Sequence, residues 1–157
     1  MGPVDGASTY NIQSNDGSGW TGEGSTSNNE CTVSDLQAYT DYKFRVQAVG
    51  NGNVSEWSSL AQVKTWIGKP TVLCRKSGTT ITLIITPVEG AASYAVNYGT
   101  NSDYSSSKFH ENARPVNGSI PDVKITGLTT GKTYYFFVTP MPVGTSRAEY
   151  RMVSVSL

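Results

Sequence analysis

Residues 36–49, LQAYTDYKFRVQAV, return nearly column for column as residues 128–141, LTTGKTYYFFVTPM, an offset of 92 positions. In each copy a leucine stands six residues ahead of a tyrosine, and apolar residues then take alternate positions: Tyr42, Phe44 and Val46, mirrored by Tyr134, Phe136 and Val138. A period of two sends successive side chains to opposite faces of an extended chain, so both stretches read as strands with one buried face. The same offset of 92 joins residues 33–65 to 125–157 without a gap, and PVDGASTY at residues 3–10 returns as PVEGAASY at 87–94, an offset of 84. Two copies of one folding unit are expected, the second carrying eight more residues in its middle.

The pattern P-V-x-G-A-x-x-Y, the leucine ahead of a tyrosine, and then Y-x-F-x-V resemble the fibronectin type III domain, and the resemblance covers nearly the whole chain. It implies an all-β architecture of two immunoglobulin-like sandwiches in tandem, each with sheets A-B-E and C'-C-F-G, and it says nothing by itself about function. In that frame Tyr42 and Tyr134 hold the place of the corner tyrosine, and the tryptophan usual on the second strand is replaced by Ile85. The expected division is residues 1–66 and 67–157, with residues 66–68 as the linker.

The first copy is expected to be incomplete. Residues 3–65 make 63 positions against 89 for residues 69–157; eight of the missing positions are the mid-domain insertion, and the other 18 match residues 69–86, the A and B strands. In the second copy these strands carry Ile81, Leu83 and Ile85 on one face, each worth roughly 1.5–3 kcal/mol when fully buried. The first copy should therefore have an open core and unpaired strand edges; either the two strands are supplied from outside, by a protein partner, a separate fragment of the same protein or self-association, or the sequence is incomplete and they were cut off with a preceding part of the protein. Because the chain opens on Met-Gly and runs straight into a mid-domain motif, it reads as a piece of a longer protein whose targeting segment lies elsewhere.

Charged residues are 15% of the chain and the formal net charge is zero, which gives no pointer to a nucleic-acid partner. Loops rich in Ser, Thr, Asn and Gly fit a secreted or cell-surface β-sandwich, and no membrane-spanning run is visible. Two cysteines are too few for a disulfide framework. Cys31, equivalent to Val123, is expected as an inward-facing thiol on the fifth strand, and Cys74 falls on the first strand of the other copy.

No catalytic, cofactor-binding or metal-binding constellation emerges. His110, the one histidine, is expected in a polar loop beside Glu111 and without a second ligand at useful spacing. What remains is surface. The outward positions of the sixth strand are Lys43, Arg45 and Gln47 in the first copy but Tyr135, Phe137 and Thr139 in the second; with Tyr150 and Met152 on the next strand, Tyr135 and Phe137 form a candidate interaction patch. Trp20 and Trp57 are candidate sugar contacts, although the resemblance implies that the Trp57 ring packs on the sheet. Asn53-Val54-Ser55 and Asn117-Gly118-Ser119 match the glycosylation triplet. The expected role is a non-catalytic spacer and adhesion module. The alternatives are an accessory domain held near polysaccharide, or a structural subunit of a virion, tail or filament completed by donated strands.

Overall fold

The computed structural model of the protein describes residues 4–144 and 148–157; Pro3, which opens the first repeated motif, lies outside them. The chain divides into two units between Thr65 and Trp66. Ile67, expected in a linker, is instead 2% exposed and bridges to Ala148 within the second unit.

In the first unit, β1 (Thr9–Asn15), β2 (Thr21–Thr26), β3 (Asp41–Gly50), β4 (Asn53–Val54) and β5 (Ala61–Lys64) make one antiparallel sheet. Its order is β2-β1-β3, and β4 and β5 both pair with β3, at its end and its start. The second unit contains β6 (Thr71–Ser77), β7 (Thr80–Thr86), β8 (Ala91–Gly99), β9 (Lys108–Ala113), β10 (Val123–Ile125), β11 (Thr133–Pro142) and β12 (Arg151–Ser156). These form two sheets, β10-β7-β6 and β12-β11-β8-β9. The second unit is thus a two-layer sandwich, with Ile81, Leu83 and Ile85 of β7 packed in one cluster with Tyr94, Val96, Phe136 and Val138 of the other sheet. Ile85, where a tryptophan is usual, is part of that apolar core.

Each repeated motif is a local device. In P-V-x-G-A-x-x-Y, Gly6 and Gly90 take φ of 79° and 82°, as the third residue of a turn closed by Ala7 N–H to Val4 O and by Ala91 N–H to Val88 O. The tyrosine six residues past the valine then accepts its N–H: Val4 to Tyr10 Oη at 2.9 Å and Val88 to Tyr94 Oη at 2.7 Å. The corner tyrosines behave likewise, Tyr42 Oη accepting from Gln37 N–H at 3.1 Å and Tyr134 Oη from Thr129 N–H at 3.0 Å. That bond favours the ionised phenol and draws the Tyr134 hydroxyl below its ordinary range.

Candidate interaction surfaces

The inner face of the first unit's sheet carries the residues that line a sandwich core, yet among the described residues no second sheet faces it. Tyr10, Ile12 and Tyr42 are buried, while Phe44, Val46, Val33 and Leu36 are only half-buried. In the second unit the equivalents of Cys31, Val33 and Leu36 are Val123, Ile125 and Leu128, exposed by 1%, 1% and 5%. The expectation that Cys31 points inward from a strand fails: residues 30–34 form no strand, and Cys31 is an exposed free thiol. The cause is the pairing partner. Val123–Ile125 is a strand because it pairs with β7, and among the described residues of the first unit no equivalent of β7 pairs with residues 30–34. A recess of about 340 Å³ opens where that strand would lie, lined by Tyr10, Ile12, Cys31, Val33, Phe44 and Val46.

On the outer face, Arg45 is not a solvated surface residue. Its guanidinium carbon lies 3.9 Å from the ring centroid of Trp20 and 4.4 Å from that of Trp57. Gln13, its cross-strand partner, accepts from Nε at 3.0 Å and from Nη2 at 2.7 Å. The sheet edge itself holds Trp57 in place. Ser55 and Ser58 each donate a backbone N–H to β3, to Ala48 O at 2.9 Å and Val46 O at 2.8 Å, and each accepts a β3 N–H on its hydroxyl. Trp20 and Trp57, the proposed sugar contacts, are therefore engaged by a cation on one side. Beside Trp57 runs a groove of about 570 Å³ lined by Asn11, Gln13, Ser25 and Gln47, kept open by Gly22 and Gly24 on β2.

In the second unit the four residues of the expected patch part company. Tyr150 and Met152 are 42% and 43% exposed and Tyr135 is half-buried, but Phe137 is fully buried. Strand alternation does put Phe137 on the face away from the core. It is covered there from above, by the rings of Tyr104 and Tyr150 at 5.4 and 5.5 Å, both edge-on, while those two tyrosines stack on each other at 5.2 Å. Tyr104 sits in a short 3-10 turn, Tyr104–Ser106, started by Asp103, whose carboxylate accepts from Ser105 N–H at 2.9 Å and Ser105 Oγ at 2.8 Å. The Ser105 backbone bond, then the hydroxyl, hold the Asp103 carboxyl below its ordinary range. Sequence reasoning missed Tyr104; the signal available was the Asp-Tyr-Ser turn initiator inside an otherwise polar insertion. Phe109, 60% exposed on β9, extends the apolar character of this face.

His110 lies on β9 rather than in a loop, its ring edge-on to Tyr98 at 5.9 Å. Cys74 is a half-buried free thiol on β6, and its burial pushes the thiol pKa up. Among the described residues no group of three or more His, Cys, Asp or Glu side chains is placed to hold a metal ion, and no helix is long and apolar enough to cross a membrane. Asn53 and Asn117, the asparagines of the two glycosylation triplets, are exposed.

No curated protein matches the chain. Among solved structures it is similar to the FN1–FN3 domains of chicken CNTN1, at 14% identity and a TM-score of 0.43 over 95% of this chain, spanning 56% of that one. It is also similar to a two-domain fibronectin type III segment of chicken tenascin, at 18% identity and a TM-score of 0.49 over 99% of this chain and 87% of that one. The chicken interferon gamma receptor alpha chain matches at 14% identity and a TM-score of 0.47, over 100% and 90% of the two chains. Residues 2–64 match the profile of the fibronectin type III domain. Those residues make up nearly all of the first unit, which thus matches the family; the second unit forms the same turns and tyrosine corners, with two sheets where the described residues of the first show one.

Proposed function

We propose that the chain is a non-catalytic spacer and interaction module of a larger secreted or cell-surface protein, engaging a protein partner or a second copy of itself through the open edge and inner face of the first unit. The observation that carries this reading is the contrast between equivalent residues: Val123, Ile125 and Leu128 are buried, whereas Cys31 is exposed and Val33 and Leu36 are half-buried. Apolar surface left open in this way is a contact site awaiting its cover. Fibronectin type III units serve widely as binding scaffolds and spacers, which agrees with low charge, exposed glycosylation triplets and polar loops. The test is fluorescence of a hydrophobic dye on the native chain, with solution mass measured across concentration. Dye binding that Val33→Asp weakens supports the reading; no dye binding together with a monomeric mass at every concentration overturns it.

A second reading, an accessory domain near polysaccharide, draws on the amide-lined groove beside Trp57. Side-chain amides next to an indole suit sugar hydroxyls and ring faces. Retention on insoluble polysaccharide that is lost in Asn11→Ala and Trp57→Ala would favour it over the protein-partner reading.

A further inference from the structure

The outer face of the first unit's sheet holds a row of side-chain amides whose orientation their neighbours fix. A guanidinium only donates, so the Gln13 atom that meets Arg45 Nε and Nη2 is the amide oxygen; the Gln13 NH2 turns away as a donor with no partner among the described residues. Gln47 is fixed from the other side, its Nε2 donating to Ser55 O at 2.8 Å, which leaves Oε1 facing Asn11. Asn11 Nδ2 meets that oxygen at 3.5 Å, and Asn11 Oδ1 is an acceptor with no partner among the described residues. Asn11 and Gln13 stand two positions apart on β1 and so share a face, which sets a fixed acceptor about 7 Å along the strand from a fixed donor. Trp57 lines the same groove; Arg45, over one face of that ring, does not, so the groove meets the ring surface that Arg45 leaves free. The second unit lacks this arrangement. By pairing, Ala95 opposite Thr139 replaces Asn11 opposite Gln47, and Asn97 opposite Phe137 replaces Gln13 opposite Arg45, while Glu149 stands for Trp57.

We propose that this outer groove is a binding site for a neutral polysaccharide chain, with adjacent hydroxyls of one sugar on Asn11 Oδ1 and Gln13 Nε2 and the apolar face of a ring against Trp57. This rests on the polysaccharide reading, names its ligand and the residues that hold it, and makes no use of the inner face of the sheet. A sugar hydroxyl both donates and accepts, so one donates to Asn11 Oδ1 while its neighbour accepts from Gln13 Nε2, and the few polar groups set the orientation of a ligand that otherwise lies on an indole. The amides need no reordering, because Arg45 and Ser55 already hold Gln13 and Gln47. Among the described residues no charged side chain lines the groove, and Arg45 is engaged by two rings and Gln13, so a carboxylated or sulfated chain finds no cation to pair with. Gly22, opposite Gln13 on β2, puts no side chain over that amide and leaves it accessible.

The experiment is affinity electrophoresis of the full 157-residue chain in native gels cast with hydroxyethylcellulose, xyloglucan or galactomannan, and with polygalacturonate as the acidic counterpart. At least one neutral polysaccharide should retard the chain and polygalacturonate should not. Gln13→Glu keeps an oxygen for Arg45 and removes the free donor, so it should weaken the retardation at least about tenfold, the loss of one hydrogen bond and the meeting of two acceptors. Gly22→Phe should abolish it: a Cβ at Gly22 meets nothing within 4 Å and the backbone there is not left-handed, so the ring enters the groove without disturbing the sheet. Hydrogen exchange of β1–β3 peptides should be unchanged in both variants. No retardation in any gel overturns this proposal together with the polysaccharide reading. Retardation that both folded variants retain overturns the groove while the polysaccharide reading stands, because the chain is then bound elsewhere. Retardation by polygalacturonate alone overturns the neutral ligand.

Discussion

Phe44 and Phe136 are the same residue of the same motif in two environments, so one substitution made twice measures what the second sheet is worth. Phe136 is 0% exposed, packed in one cluster with Ile81 and Leu83 of the facing sheet and stacked on Tyr98 at 6.4 Å. Phe136→Ala removes the ring and leaves a cavity between two sheets, a change that costs about 3–5 kcal/mol. Phe44 is half-buried, its ring stacks on Tyr42 at 6.0 Å, and it borders the open recess. Burying a whole phenylalanine is worth roughly 1.5–3 kcal/mol; half of that, with no enclosed cavity to add, puts Phe44→Ala near 1 kcal/mol. The expected gap of about 2 kcal/mol or more is a factor of roughly 30 in the equilibrium between protected and open forms. Native-state hydrogen exchange read by mass spectrometry assigns each loss to its own unit, because peptides from β1–β3 and from β8 and β11 report separately. Equal losses for the two substitutions would refute the reasoning, since they would require Phe44 to lie in a closed core.

The tyrosine hydroxyls should each matter more than an ordinary surface hydrogen bond: Tyr94→Phe and Tyr134→Phe strand the N–H groups of Val88 and Thr129, and each should cost about 1–2 kcal/mol by urea denaturation. Gly50→Ala should abolish exchange protection in the first unit, because the added Cβ would stand 1.9 Å from Gly6 O, whereas Gly22→Ala meets nothing within 4 Å and should be neutral. Arg45→Met should shift Trp20 and Trp57 fluorescence and cost the first unit about 1 kcal/mol, the scale of a cation held on an aromatic face. The Asp103 carboxyl is drawn below 3.8 in the folded chain, so its contribution is complete above that value and is lost as pH falls through the lower folded value. Ring-current shifts on Phe137 should therefore collapse as pH falls through that lowered value and Tyr104 loosens, and Asp103→Asn should remove that acid transition.

Strand identity was legible wherever period two was strong. β7 runs over the residues where Ile81, Leu83 and Ile85 alternate, and the two-sheet order of the second unit follows the family arrangement. Cys31 was misread because parity was borrowed from Val123, and a strand needs a partner as well as a pattern. Phe137 is a different case: alternation placed it on the outer face, where it lies, and alternation tells which face a side chain occupies, not what another part of the chain lays over that face. Its cover comes from the insertion, through Tyr104. The Trp20–Arg45–Trp57 arrangement joins residues from two loops and a strand, and no local pattern announces such a meeting. Arg45 was visible as an outward cation, but its neighbours were not.

The two units differ in their cores and agree in their turns, and this separates what each part of the sequence does. The turn at Gly6 or Gly90, the bond from Val4 to Tyr10 or from Val88 to Tyr94, and the corner at Tyr42 or Tyr134 form in both, although a second layer faces the sheet in one unit and, among the described residues, none does in the other. These devices join residues no more than six positions apart, so they fix the ends and register of β1 and β3 without help from a facing layer. The sheet of the first unit is accordingly shaped before anything docks on it. A sheet already shaped in this way, with residues 30–34 as its irregular segment, would keep low the ordering cost of the proposed contact on its inner face, since fixing one residue's backbone costs about 1–2 kcal/mol.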